Sequence, residues 1–229
     1  STVADMVYGA ARGADGIVSQ KTMEQIRNDN AIAAKYSTAD LSGKAVNKAH
    51  LQKLAGLQED PNVPIIGMVS RLVDHKGLDL VRTVFHEIME LPVQVVVLGT
   101  GDQKHEDFFR WAAEMYPGRV SVTLAYSEAL SSAIYAGADL FLMPSVSEPC
   151  GLAQMISLRY GTIPIVRETG GLADSVAPFN PETGDGQIQK CRIIAYEDPG
   201  KGCGKGDTGQ HHAYPENADH NETLFQKAF

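Results

Sequence analysis

Clusters of basic residues are missing from this sequence. Lys and Arg together number 20 against 28 Asp and Glu, a formal charge of −8, and the cations nowhere run together. That balance argues against nucleic acid or an anionic membrane surface as the main partner. Long apolar runs are missing too, and no stretch approaches the ~20 residues of a membrane span. The opening Ser1-Thr-Val-Ala-Asp lacks the charged-then-apolar pattern of a signal peptide. Cysteine is scarce, with three residues and no C-x-x-C pair, which fits a reducing compartment better than a disulfide scaffold. The expectation is a soluble, acidic, intracellular protein of one large or two small domains.

Two familiar phosphate loops are missing as well. Gly9-Ala-Ala-Arg-Gly13 lacks the Lys-Ser/Thr of a nucleoside-triphosphatase loop, and Gly99-Thr-Gly-Asp102 is shorter than the dinucleotide fingerprint G-x-G-x-x-G. Cys191, Cys203, His211 and His212 fit no standard zinc spacing, and no metal or cofactor is expected.

What is present is an alternation of buried strands and helices. Apolar runs at 63–69, 93–98, 119–124, 138–143 and 162–166 have strand length. Helical patterns over 48–54, 78–91, 103–116, 128–136 and 151–160 surround them, with a short helical turn near Leu172. Thr22 to Ala34 also looks helical, although weakly amphipathic. Such alternation predicts right-handed βαβ crossovers and an α/β fold with a doubly wound, Rossmann-like parallel sheet. Beyond residue 186 glycines crowd the sequence and only Cys191 to Tyr196 resembles a strand. The expected organisation is a leader and linker over 1–45, a Rossmann-like domain over 46–186 and a Gly-rich, flexible or extended tail over 187–229.

Ligands of open parallel sheets sit at the carboxyl edge, so the loops leaving the strands carry the candidates. The first loop holds Arg71 and Lys76, five residues apart across a turn and able to grip one diphosphate. The second holds Gly99 to Asp102, where glycine allows close backbone approach. The fourth strand runs into Ser145-Val-Ser-Glu-Pro-Cys-Gly-Leu-Ala-Gln154, where Pro149 and Gly151 force a turn. There Glu148 lies at the sheet edge beside the free N–H groups of Gly151, Leu152 and Ala153, which favour an anion. An ordinary strand-to-helix loop fits the same residues. Thr169-Gly-Gly171 would be a further donor of backbone amides. Tyr126, just past the third strand, either stacks on a base or packs in the core, and Trp111 reads as core or shoulder.

Seven separated motifs carry a resemblance: Arg71-Leu-Val-Asp-His-Lys-Gly77, Leu98-Gly-Thr-Gly-Asp102, Tyr135-Ala-Gly-Ala-Asp139, Met143-Pro-Ser145, Glu148-Pro-Cys-Gly-Leu152 with Gln154, Arg159-Tyr-Gly-Thr-Ile-Pro164 and Thr169-Gly-Gly-Leu-Ala-Asp174. Over residues 30–178 the sequence closely resembles bacterial glycogen synthases and plastid starch synthases, the ADP-glucose-dependent transferases of glycosyltransferase family five. The resemblance implies the C-terminal, donor-binding half of a two-domain GT-B enzyme that moves glucose from ADP-glucose to the end of an α-1,4-glucan with retention. It implies that Arg71 and Lys76 hold the diphosphate, Tyr126 lies by the nucleoside and Glu148 positions the glucosyl unit. Cys150, Gly151 and Leu152 would sit at the phosphate-binding turn, and Thr169, Gly170 and Gly171 near the sugar and phosphates. An N-terminal acceptor-binding domain is expected as a partner but is not in this sequence, and the implied compartment is bacterial cytoplasm or plastid stroma. His75 stands where Gln is usual, and Ile156 where related retaining transferases carry a second Glu. A non-catalytic nucleotide-binding or interaction module remains the alternative.

Overall fold

A computed structural model describes residues 30–36 and 40–176. Five strands form one all-parallel sheet: β1 (Ile65–Val69), β2 (Gln94–Leu98), β3 (Val120–Thr123), β4 (Leu140–Met143) and β5 (Ile163–Val166), in the order β3-β2-β1-β4-β5. Helices α1 (Ser42–Leu54), α2 (Leu78–Thr83), α3 (Phe85–Glu90), α4 (Gln103–Met115), α5 (Glu128–Gly137), α6 (Ala153–Arg159) and α7 (Gly170–Ser175) complete the fold. The doubly wound Rossmann-like sheet expected from the alternation is the one observed.

The strands apart from the edge strand β3 (Val-Ser-Val-Thr) are largely apolar because both faces of the sheet are covered. Val95 and Val97 of β2 point into a cluster with Val81, Phe85, Met89, Phe109 and Ala112. Val96 and Leu98 point the other way, among Leu51, Ile134, Phe141 and Leu158. The period of two thus sorts one strand between two cores, with α2, α3 and α4 over one face and α1, α5 and α6 over the other. Gly67 in β1 lets α5 close on the sheet, since a Cβ there would come within 2.5 Å of the Ile134 Cγ2.

Several expected boundaries move. Helix α1 begins at Ser42 rather than 48, and the Asp40 carboxylate accepts the Ser42 N–H at 2.9 Å. Residues 31–34 form bends, so the helix expected up to Ala34 does not reach there. Instead the Ala33 N–H donates to the Asn47 side chain at 2.9 Å and the Ala34 carbonyl accepts from it at 2.7 Å. The single helix expected over 78–91 is two segments meeting at Val84 (φ −105°, ψ 13°). Thr83 Oγ1 there donates back to the Asp79 carbonyl at 2.9 Å, a bond that bends helices. The expected strand over Cys191 to Tyr196, the tail, the Gly9–Gly13 segment and the four residues at 191, 203, 211 and 212 lie outside the described residues.

Glycines divide by edge. In the loops entering the strands, Gly56 has open space where a Cβ would be, and the nearest atoms to one at Gly118 and Gly161 are 3.7 and 4.0 Å away. In the loops leaving them, a Cβ would fall 2.0 Å from the Pro144 carbonyl at Gly77, 1.8 Å from that of Ser70 at Gly99 and 2.4 Å from that of Glu148 at Gly170. Among these loop glycines backbone presses on backbone at the carboxyl edge, while Gly43 and Gly137 make such close approaches within helices.

Candidate functional site

The loop after β1 is the hub of that edge. Leu72, fully buried, pairs as a parallel bridge with Gly101: its N–H donates to the Thr100 carbonyl at 2.9 Å, and its carbonyl accepts from Asp102 at 2.7 Å. A single 3-10 turn, Asp74–Lys76, follows and ends at Gly77 in the left-handed region (φ 70°). The Val146 N–H donates to the His75 carbonyl at 2.9 Å. The loop is therefore clamped between those that follow β2 and β4, and its two cations inherit that placement.

The loop after β4 supplies the carboxylate. Lys76 Nζ lies 2.5 Å from Glu148 Oε2, with the two side chains only 19% and 13% exposed. Ser145 Oγ donates to the same oxygen at 3.2 Å. The expected residues at 71, 76 and 148 do converge. Arg71, Lys76, Ser145, Glu148, Gly151 and Leu152 line a small cavity of about 200 Å³. Helix α6 begins at Ala153, and first-turn N–H groups have no intrahelical acceptor.

A second cavity of about 920 Å³ adjoins the first, and both share Val69, Ser70 and Arg71 as wall. Gly99, Thr100, Tyr126, Glu128 and Tyr135 contribute to the larger space. Tyr126 is 91% exposed, so core packing is excluded for it. Burial pushes the Tyr135 hydroxyl well above the ordinary tyrosine range, and it stays a neutral phenol. Trp111 is a shoulder residue, leaning on Phe108 and His86.

Four expected residues, Cys150, Thr169, Gly170 and Gly171, are not among those lining these two cavities. The Gly171 N–H donates to the Glu148 backbone carbonyl at 3.0 Å, and Thr169 Oγ1 donates to that of Val146 at 3.2 Å. A Cβ at Gly171 would meet the Cys150 carbonyl at 2.6 Å. These residues prop the Glu148 loop from below, so the Gly171 amide expected to face phosphate is engaged already. Gln154, fully buried, adds bonds to the Cys150 and Gly151 carbonyls, each 3.0 Å.

The expected site residues did not include Ser145, although it lies in the Met143-Pro-Ser145 motif and opens the Glu148 loop. Sequence reasoning also missed an ionic knot behind the first loop. Asp74 there accepts from the Lys104 ammonium and, at 2.9 Å, from His105 Nε2. Both bonds hold the Asp74 carboxyl below the usual range, Lys104 more strongly than His105. Asp74, Asp102 and His105 are also a set of metal-type donors within 4.8 Å of one another, but Lys104 already occupies the Asp74 oxygen.

The site thus sets two cations against a carboxylate at one end of a cleft and leaves an aromatic ring on the rim of the other. That suits a ligand with a diphosphate between a polar head and a flat base. The family model described as glycosyl transferases group 1 matches residues 52–186. This chain belongs to the group 1 glycosyltransferases. Within them it is related to glycogen and starch synthases. Glycogen synthase of Bacillus cereus (strain B4264) is 51% identical over 182 residues, 80% of this chain and 37% of that protein. Glycogen synthase of Geobacillus thermodenitrificans is 56% identical over 158 residues, 69% of this chain and 33% of that protein. The catalytic domain of starch synthase IV from Arabidopsis thaliana, bound to ADP and acarbose, superposes with a TM-score of 0.67 at 40% identity, covering 73% of this chain and 35% of that one. The chain spans about a third of the length of these transferases, and its sheet is one Rossmann-like half of their GT-B fold. No helix among the described residues is long and apolar enough to cross a membrane.

Proposed function

We propose that this glycosyltransferase chain binds ADP-glucose across the two joined cavities and supplies the donor half of a retaining glucosyltransferase acting on α-1,4-glucan. The observation that carries the reading is the Lys76–Glu148 pair, 2.5 Å apart, in a cavity that meets its neighbour at Arg71. In this reading the diphosphate lies between Arg71 and Lys76, the base reaches toward Tyr126, and glucose faces Glu148. When the anomeric C–O bond breaks, its electron pair leaves with the diphosphate and positive charge develops on the sugar. Fixed cations stabilise the first and the carboxylate the second, and neither needs to reorganise during the step. The acceptor hydroxyl oxygen then bonds to the anomeric carbon, and its proton passes to the departing diphosphate oxygen.

Bound ADP and acarbose in the Arabidopsis relative support a nucleotide-sugar donor and a glucan acceptor. The acceptor-binding domain is assigned to sequence outside this chain, residues 46–186 to the donor domain, and the compartment to bacterial cytoplasm or plastid stroma. Calorimetric titration of the 229-residue chain with ADP, and UDP as comparator, tests the reading. Binding that prefers ADP is expected, and absence of binding to either nucleotide overturns it. Glucan-primed transfer, assayed with and without an added acceptor domain, separates the donor half from a non-catalytic nucleotide-binding module.

A further inference from the structure

We propose that His105 is a positioning residue for the donor site, acting through Asp74 to hold the turn that presents Lys76. This rests on the reading of Lys76 as a diphosphate contact. The turn has two ends and an anchor at each. At one end Gly77 fits against the Pro144 carbonyl with no room for a Cβ. At the other, Asp74 is held by α4, through Lys104 and His105. Lys76 sits between these anchors, and the Gly77 N–H closes the turn onto the Asp74 carbonyl at 3.0 Å. Release of Asp74 leaves the turn held at Gly77 and by the Val146 N–H on the His75 carbonyl, which loosens the hold on Lys76 opposite Glu148.

The two groups holding Asp74 differ in kind. The Lys104 and Asp74 side chains are 48% and 63% exposed, so water and salt weaken that pair. His105 is fully buried. Its Nε2–H donates to Asp74 Oδ1 at 2.9 Å, while its Nδ1 is buried with no hydrogen-bond partner among the described residues. An orphaned buried nitrogen is a cost that an apolar side chain would not carry. The bond to Asp74 is what the imidazole provides in return, and it acts on the loop rather than on the core.

The test follows from that asymmetry. His105→Leu removes the orphaned nitrogen together with the bond, so the melting temperature is expected to hold or rise. Its ADP affinity is expected to fall about tenfold, the loss of one bond to a charged group. Amide exchange at Lys76 and Gly77, whose N–H groups close the turn onto the Val73 and Asp74 carbonyls, is expected to speed up in the same variant. His105→Gln can place an N–H in the same direction and is expected to restore both affinity and exchange. Asp74→Asn, at an exposed position, is expected to give the same loss, and the double variant with His105→Leu to be no worse than either single one. Wild-type exchange and affinity in folded His105→Leu overturn the proposal. So does a loss of affinity that tracks a lower melting temperature and is not rescued by Gln. If the wild-type chain binds no ADP, the donor reading fails by itself, and the exchange measurements still decide whether His105 holds the turn.

Discussion

Lys76 and Glu148 meet at 2.5 Å, and Ser145 Oγ donates to the same carboxylate oxygen at 3.2 Å. On the donor-site reading, the cation that would hold the diphosphate is already paired with a carboxylate. On that reading the phosphate competes with Glu148 for Lys76, and the carboxylate tunes donor affinity. Glu148→Gln is expected to tighten ADP a few-fold, about 0.5–1 kcal/mol, because the partly buried pair no longer has to loosen. The same change is expected to abolish transfer in the enzyme completed with its acceptor domain. Lys76→Ala and Arg71→Ala are expected to weaken ADP by about 1–3 kcal/mol each. Titration calorimetry reads all three, and weaker ADP binding in Glu148→Gln would rule out the competition.

Tyr126 tests the other end of the cleft. A ring 91% exposed on the cavity rim contributes little to folding. Tyr126→Ala is expected to weaken ADP by about 1–3 kcal/mol, the range for a base stacked on an aromatic side chain. Pyrophosphate binding is expected to stay unchanged, and Tyr126→Phe to behave as wild type toward both ligands.

Lys44 supplies a pH dependence away from the site. Its ammonium is surrounded by the carbonyls of Ala136 at 3.0 Å, Ala138 at 2.9 Å and Tyr160 at 3.3 Å, and by Thr162 Oγ1 at 2.8 Å. Burial pulls its pKa down to about 8, against the opposing pull of Asp139. The folded value lies below the unfolded one, so the chain gains stability as pH rises between them. Between about pH 8 and 9.5 the wild type is expected to gain about 1.5 kcal/mol relative to Lys44→Met. Urea midpoints of both proteins across that interval check the sign.

Gly77 tests the clamp. A Cβ at 2.0 Å from the Pro144 carbonyl, on a backbone with φ 70°, cannot be fitted without moving one of the two loops. Gly77→Ala is expected to cost at least ~3 kcal/mol of unfolding free energy, and Gly56→Ala about 1 kcal/mol from backbone strain alone. Equal losses in denaturant melts would show that the loops adjust freely.

Most strands were legible because they are apolar on both faces, and the edge strand β3 because Val120 and Val122 alternate with Ser121 and Thr123. The convergence of Arg71, Lys76 and Glu148 was legible from topology, since a parallel sheet brings all three loops to one edge. What escaped was set by partners distant in sequence. The start of α1 has no apolar periodicity, and Val84 gives no sign of a kink until the Thr83 hydroxyl turns back on its helix. Thr169 to Gly171 read as ligand-facing because glycine and hydroxyl suit a phosphate as well as a neighbouring backbone. Only the fold shows that Gly171 donates to Glu148. His105 carried no signal at all, as one histidine in a helical pattern tells nothing of an aspartate 31 residues away.

The uneven crowding of the glycines bears on how such a chain can change over generations. Loops entering the strands have room for a side chain at Gly56, Gly118 and Gly161, so their lineage can drift, with Asn or Asp the readiest replacements at those positive φ values. Loops leaving the strands are locked to one another through their main chains, and an alteration at Gly77 or Gly99 displaces its neighbours as well. New specificities should therefore arise by exchange of cleft side chains such as Tyr126, Ala125 or Glu128, while the backbone beneath them stays as it is.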